Sequence, residues 1–255
     1  MALAKEKRRA EIVRYIEGKK SATGAELSEI FHVTEETIRK DLQELSQRGA
    51  LIRTFGGATI REYGAERPLN QRTIQNYAQK QKIASCGIPL ITPGSLIMLD
   101  AGSTISAMAK LIPQDLSIVV VTNSLENTNI LSQNPGVSVY CTGGRLHQKS
   151  LSFQGSLAEH SISSYNAEKA FISCSAVDLH LGVMDSNEEE ARVKQQMIHM
   201  AREVYLLADS SKIGGLAHIT TCAIQEITAL ITDSGISDEN RARFEEAGIR
   251  VIAAE

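Results

Sequence analysis

Seven short runs of β-favouring residues recur along the C-terminal two-thirds of the chain, at Leu96–Leu99, Ile118–Val121, Val137–Cys141, Ala170–Ser173, Val204–Ala208, Ile227–Ile231 and Ile249–Ile252. Most are apolar throughout instead of alternating, so both faces of each strand are expected to be buried. Helix-compatible segments lie between them, among them Ser106–Ile112, Leu125–Ser132, Glu188–Arg202 and Asp238–Ala247. Strand–helix alternation of this kind predicts an α/β domain with a mainly parallel sheet covered on both sides. Ligands of such sheets bind beyond the carboxyl ends of the strands, which directs attention to the residues after each run.

Those residues are polar in five consecutive cases. Asp100-Ala101-Gly102-Ser103-Thr104 follows the first run and opens a helix. Thr122-Asn123-Ser124 ends the second, Thr142-Gly143-Gly144-Arg145 the third, Asp178 and Gly182 follow the fourth, and Asp209-Ser210-Ser211-Lys212 the fifth. Turn chemistry explains one or two such clusters; five on one sheet edge predict a pocket for a polar ligand. A strand, a glycine turn and a helix N-terminus bearing hydroxyls suit an anion, phosphate above all. The plainer alternative is that Ser103 and Thr104 cap the helix. Glu190 and Lys194 stand at i, i+4, where a surface ion pair competes with a ligand role.

The first 61 residues have another pattern: three helical segments and a hairpin. Ile12, Val13 and Ile16 form one stripe, Leu27, Ile30 and Phe31 a second, and Ile38, Leu42 and Leu45 a third that stops at Gly49. Leu51–Thr54, Gly56-Gly57 and Ala58–Ile60 read as a hairpin. The third helix, opened by Thr34 as cap, exposes polar residues at its start. Thr34, Glu35, Thr37, Arg39, Lys40 and Gln43 are the candidate DNA-reading residues, with Arg53 and Arg61 beside the hairpin. Charge divides accordingly: 12 Lys/Arg against 9 Asp/Glu in residues 1–61, a net +3, while the remainder carries −6. A nucleic-acid surface is thus expected at the N-terminus only.

The domains expected are a winged helix-turn-helix at 1–61, a polar linker at 62–81 broken by Pro68, and the α/β domain at 82–255. No apolar stretch reaches the length of a membrane span or signal peptide, so a cytoplasmic protein is expected. Cys86, Cys141, Cys174 and Cys222 lack any zinc-ligand spacing and are expected as buried free thiols; the histidines form no cluster, and no metal or cofactor is expected.

The run VTEETIRKDLQELSQRGALIRTFGGA (Val33–Ala58) resembles the N-terminal signature of DeoR-family regulators, with Phe55 where the family commonly has His. DAGST (Asp100–Thr104), VVTNS (Val120–Ser124), TGG (Thr142–Gly144), FISCSAVD (Phe171–Asp178), EEARVK (Glu189–Lys194) and LADSSKIG (Leu207–Gly214) resemble that family's sensor domain. The resemblance implies a winged helix joined to a fold like ribose-5-phosphate isomerase and the CoA-transferases. It implies a DNA-binding regulator, a repressor of a carbohydrate-utilisation operon, whose effector is a phosphorylated sugar. Gly102, Ser103 and Thr104 would hold the phosphate, Asp100 and Asn123 the sugar hydroxyls, and Lys212 would add positive charge. Thr122, Gly143, Gly144, Asp178, Glu190 and Lys194 complete the candidate ligand set. Partners would be operator DNA and a second copy or three, as a homodimer or homotetramer. Two other readings compete: a sugar-phosphate isomerase using Asp178 or Glu190 with Lys212 or Lys194 for proton transfer, and a DNA-binding protein whose second domain only dimerises.

Overall fold

The structure, a computed structural model, describes residues 2–47, 50–54, 56–60 and 66–255. Gly49, Phe55 and Arg61, used above, lie outside the described residues. The chain divides into two units, Met1–Tyr63 and Gly64–Glu255. No helix among the described residues is long and apolar enough to cross a membrane.

The first unit runs α1 (Ala2–Lys19), β1 (Ser21–Thr23), α2 (Gly24–Phe31), α3 (Glu35–Gln47), β2 (Leu51–Thr54) and β3 (Gly57–Ile60). The three sequence stripes meet in one core of Ile12, Ile16, Leu27, Ile38, Leu42, Leu45, Leu51 and Ala58, with Phe31 packed against it; Ile30, expected in the second stripe, is exposed. Thr23 and Glu26 form a capping box that starts α2, and His32 ends it in the left-handed region at φ 51°. Thr34 accepts from the Thr37 N–H at 3.2 Å, as a cap should. β2 and β3 form the antiparallel hairpin of the wing, and β1, too short to show a pattern, adds to β3. The crossing of β1 leaves no room for a side chain at Gly57: a Cβ there would stand 2.2 Å from the Ala22 carbonyl oxygen. Arg9 and Arg8 turn inward to Asp41 on α3, at 2.9 and 2.7 Å. Part of the N-terminal basic charge is therefore spent inside the unit.

In the second unit, α4 (Leu69–Ile74) and α5 (Tyr77–Gly87) come first, followed by β4 (Leu96–Leu99), α6 (Ser103–Leu111), β5 (Ile118–Thr122), α7 (Leu125–Leu131) and β6 (Val137–Cys141). The chain continues through β7 (Arg145–His147), β8 (Ser152–Gln154), α8 (Ser156–Ser163), β9 (Ala167–Ile172), β10 (Ala176–Asp178), β11 (Gly182–Asp185) and α9 (Glu188–His199). β12 (Ala201–Leu207), β13 (Ile219–Cys222), β14 (Ala229–Asp233), α10 (Asp238–Glu246) and β15 (Arg250–Ala254) complete it.

The seven expected strands make one parallel sheet in the order β15-β14-β12-β9-β4-β5-β6. Alternate residues supply its two faces. Met98, Val121, Ile172, Leu206 and Leu230 pack with α8, α9 and α10 on one side; Ile97, Leu99, Val120, Phe171 and Leu207 pack with α5 and α6 on the other. Full burial of each such side chain stabilises by roughly 1.5–3 kcal/mol, which is why most of the runs are apolar throughout. A small antiparallel sheet, β10-β11-β13, and the hairpin β7–β8 were not expected from the sequence.

Of the stretch 62–81, expected as a linker, residues 66–81 belong to the second unit and carry α4 and the first turns of α5. Pro68 does not interrupt a helix there but stands at its N-cap. The helices were hidden because few apolar residues are needed: Leu69, Ile83 and Ala84 are buried, whereas Ile74 and Tyr77 are exposed. Of the four cysteines, all free, Cys174 and Cys222 are buried and their thiols are pushed up to about 12 by burial. Cys86 is half-buried and Cys141 exposed, against expectation, since β6 is an edge strand with an open end.

Candidate functional site

The chain adds β5 and β6 to one side of β4 and β9, β12, β14 and β15 to the other, so the direction of winding reverses between β4 and β9. A crevice opens at the carboxyl ends on either side of such a reversal. The five strands whose ends are polar in sequence are the five neighbours β12-β9-β4-β5-β6.

Asp100 sits at the reversal, fully buried. Its Oδ2 accepts from the Ser173 N–H at 3.0 Å and lies 3.3 Å from Lys194 Nζ. Lys194, 1% exposed, donates to the Ser173 carbonyl at 2.5 Å and to Asp185 Oδ2 at 2.7 Å, and Thr221 also donates to Asp185. Burial lowers the ammonium's pKa, but Asp100, Asp185 and Glu190 outweigh it and hold it above its ordinary range. Burial raises Asp100, against the pull of Lys194, and pushes Glu190 up to about 8, again opposed by Lys194. The reading of Glu190 and Lys194 as a surface pair is therefore wrong: both are buried, and the lysine's donors turn to Asp185, Asp100 and Ser173. Lys194 holds the crevice floor together instead of pointing at a ligand.

Around this floor, buried polar atoms lack partners among the described residues: Asp100 Oδ1, Thr104 Oγ1, Asn123 Oδ1, Gln154 Oε1, and Nε and Nη2 of Arg72. An unpaired buried donor or acceptor costs about 1–3 kcal/mol, so a cluster of them points to a ligand. α6 starts beside them with Gly102 at its N-cap and no side-chain cap bond. The expected alternative, hydroxyl capping by Ser103 or Thr104, is thus not what the helix does. Glycine is needed at 102 because a Cβ would stand 2.6 Å from Ser173 Oγ.

The other expected ligand residues divide. Asn123 donates to the Phe153 carbonyl at 3.3 Å and keeps its oxygen unpaired. Gly143 and Gly144 are left-handed, and a Cβ at 144 would stand 2.7 Å from the Gln154 carbonyl oxygen. Lys212 donates to the Cys174 carbonyl at 2.6 Å, near the β9 end. Two are engaged within the protein. Thr122 is fully buried and its hydroxyl bonds the Leu99 carbonyl at 2.6 Å, joining β5 to β4. Asp178 accepts from the His180 and Leu181 N–H groups at 2.8 and 3.1 Å, closing the β10–β11 turn.

Residues 66–80 form a strap across these strand ends. It is tied on the β6 side by Glu66 to His147 at 2.6 Å and by the Leu69 N–H to the Lys149 carbonyl at 2.7 Å. On the β12 side Asn76 donates to Asp209 Oδ1 at 3.0 Å and to Ser211 Oγ at 3.3 Å. Lys80 is buried, bonded to the Arg72 and Gln75 carbonyls. Burial, then Lys212, pushes its pKa down to about 8. Arg72, Lys80 and Asp185 are the residues that sequence reasoning missed.

In the first unit, Thr34, Glu35, Arg39, Lys40 and Gln43 are exposed along the first three turns of α3, Thr37 is half-buried, and Arg53 is exposed on β2. Thr34 and Thr37 share a hydroxyl bond at 2.9 Å. Glu36 grips Arg39 through Nε and Nη2 at 2.7 and 2.8 Å and lies 3.5 Å from Lys40. That contact with Arg39, first, pulls Glu36 down to about 2.

Comparison with known proteins agrees with both units. A DeoR-like helix-turn-helix domain matches residues 8–63, and a DeoR C-terminal sensor domain matches residues 75–234. YulB of Bacillus subtilis (strain 168), an uncharacterized HTH-type transcriptional regulator, is 40% identical over 247 residues, covering 96% of this chain and 95% of its own. The putative aga operon transcriptional repressor of Escherichia coli O157:H7 is 32% identical over 248 residues, covering 96% and 92%. The HTH-type transcriptional repressor GlcR of B. subtilis (strain 168) is 32% identical over 236 residues, covering 89% and 88%. Among solved structures, ribose 5-phosphate isomerase A from Methanocaldococcus jannaschii aligns over 55% of each chain at 17% identity, with a TM-score of 0.41.

A winged helix joined to an α/β sensor domain defines a DNA-binding transcriptional regulator, and the isomerase reading is set aside. The chain belongs to the DeoR family.

Proposed function

We propose that this regulator represses a carbohydrate-utilisation operon in the cytoplasm and is controlled by a phosphorylated sugar. It binds operator DNA as a homodimer or homotetramer, since symmetric regulators read pseudo-palindromic sites. Thr34, Glu35, Thr37, Arg39, Lys40, Gln43 and Arg53 meet the DNA. In the sensor, Gly102, Ser103 and Thr104 receive the phosphate, while the Asp100 and Asn123 oxygens accept from sugar hydroxyls. Gly143 and Gly144 form the rim.

The observation that carries this reading is the uncapped start of α6 beside unpaired Thr104 Oγ1, Asp100 Oδ1 and Asn123 Oδ1. A helix N-terminus with a free hydroxyl suits an anion, whereas carboxylate and amide oxygens suit hydroxyl donors. A sugar bearing one phosphate satisfies both. A relative named as an L-fucose operon activator, 31% identical over 244 residues, supports a carbohydrate context.

The test is operator affinity measured with and without a panel of sugar monophosphates and their unphosphorylated parents. Coupling free energies of allosteric proteins predict a shift of about 5–150-fold for the effector and none for its parent. Thr104→Val should abolish the response. If no sugar monophosphate shifts the wild-type curve, the reading is wrong.

A further inference from the structure

We infer that the strap 66–80 supplies the second wall of the phosphate subsite, with Arg72 and Lys80 as cationic partners of the effector's phosphate opposite the first turn of α6. The inference rests on the phosphorylated effector proposed above and deepens it, because neither side chain belongs to the strand ends that defined the site.

Three observations converge. Lys80 and Ser103 line one small cleft, which Lys110 and Glu126 also line, so the ammonium and the start of α6 face the same space; Arg72 is not part of that lining. Arg72 keeps Nε and Nη2 buried without a partner among the described residues. These two N–H groups point the same way from a planar fork, the geometry that matches two oxygens of one phosphate. Lys80 is 5% exposed and spends two of its donors on carbonyls, which leaves the third of an ammonium's three N–H bonds.

The charge balance points the same way. Arg72 lies close enough to Glu190 to favour its ionised form, and Lys80 feels Lys212 and Arg72 as like charges and Asp209 as an opposite one. Three cations near one carboxylate leave an excess of positive charge that an entering anion would offset. A phosphate dianion presents three terminal oxygens, enough for the guanidinium, the ammonium and the helix start together. A carboxylate carries a single charge and so offsets less of this wall.

The test uses the full chain. Binding of ribose 5-phosphate, glucose 6-phosphate, fructose 6-phosphate, their parent sugars and inorganic phosphate is measured by calorimetry for wild type, Arg72→Gln, Lys80→Met and Thr104→Val. In parallel, hydrogen exchange of wild-type residues 66–80 is followed with and without the tightest-binding probe, which needs no variant to fold. The expected result is that Arg72→Gln and Lys80→Met each weaken that probe by about tenfold or more, as lost charge-assisted bonds do, and that strap amides exchange more slowly when it is bound. If Thr104→Val weakens binding while both strap variants bind as wild type and strap exchange is unchanged, the inference is wrong and the phosphate reading stands. If no phosphorylated probe binds wild type, or parent sugars bind equally well, both are wrong.

Discussion

Replacing Lys194 by methionine tests whether the crevice floor is an ion cluster or simply a packed core. Methionine keeps most of the side chain's length and removes the charge. The ammonium now answers Asp185 at 2.7 Å and Asp100 at 3.3 Å, with side-chain exposures of 1% for Lys194, 5% for Asp185 and 1% for Asp100. Losing one partner of a buried pair typically costs about 3–5 kcal/mol, because the remaining charges stay buried unpaired. Protonation limits that loss. Asp100 is already raised by burial, and without the ammonium it loses the charge that opposes that rise; it then takes up a proton on folding, and stability increases as the pH falls. Lys194→Met should therefore cost about 3–5 kcal/mol at pH 7.5 and distinctly less at pH 5.5. Urea unfolding followed by tyrosine fluorescence suits this: the chain has no tryptophan, and five of its six tyrosines follow residue 62. A loss below about 1 kcal/mol at pH 7.5, or one just as large at pH 5.5, would refute the reasoning.

Two further outcomes are expected. Glu190 is ordinarily an acid of 4.5 and is pushed up to about 8 in the fold; between those values the native state holds a proton that the unfolded chain does not, so stability falls as pH rises. Glu190→Gln should remove that slope, at most ~1.4 kcal/mol per pH unit, and an unchanged stability–pH profile would contradict the assignment. On the other unit, Glu36→Gln should free Arg39 and Lys40 from a neighbouring negative charge and raise affinity for non-specific DNA about threefold at low salt; anisotropy titrations showing no gain would mean that these cations do not face DNA.

What was legible in the sequence follows from local physics. The central sheet strands were visible because a strand buried on both faces has little place for a polar side chain, as at Leu96–Leu99 and Ile118–Val121. The recognition helix was visible through the Ile38/Leu42/Leu45 stripe and the Thr34 cap. The strand-end residues could be placed on one edge by topology, but not assigned their partners: nothing local distinguishes Asp100, with one oxygen unpaired, from Asp178, which closes a turn. Asp185 was passed over because its partner Lys194 lies on the next helix, and the two meet only once β11 and α9 are packed. The strap was hidden for a different reason. It buries little apolar surface, so no periodicity marks it, and its ties are polar bonds to residues far along the chain.

That weakness of the strap bears on how the proposed effector, bound at the crevice, would change DNA affinity. A ligand shifts an equilibrium only by the difference in its free energy of binding to the two states, so something it touches must differ between them. The crevice floor is a poor candidate, because moving Lys194 would strand buried carboxylates at several kcal/mol. The strap is a better one. Leu69 is its one buried large apolar residue before Lys80, while Ile74 is 79% and Tyr77 57% exposed. What holds it are bonds such as Asn76 to Asp209, Glu66 to His147 and Leu69 N–H to Lys149, each worth about 0.5–1.5 kcal/mol net, more where charged. Coupling between sites typically needs about 1–3 kcal/mol, the same range. The strap also begins within a few residues of Tyr63, where the DNA-reading unit ends. A phosphate gripped by Arg72 and Lys80 would add its bonds to a contact set weak enough for that addition to decide the strap's position.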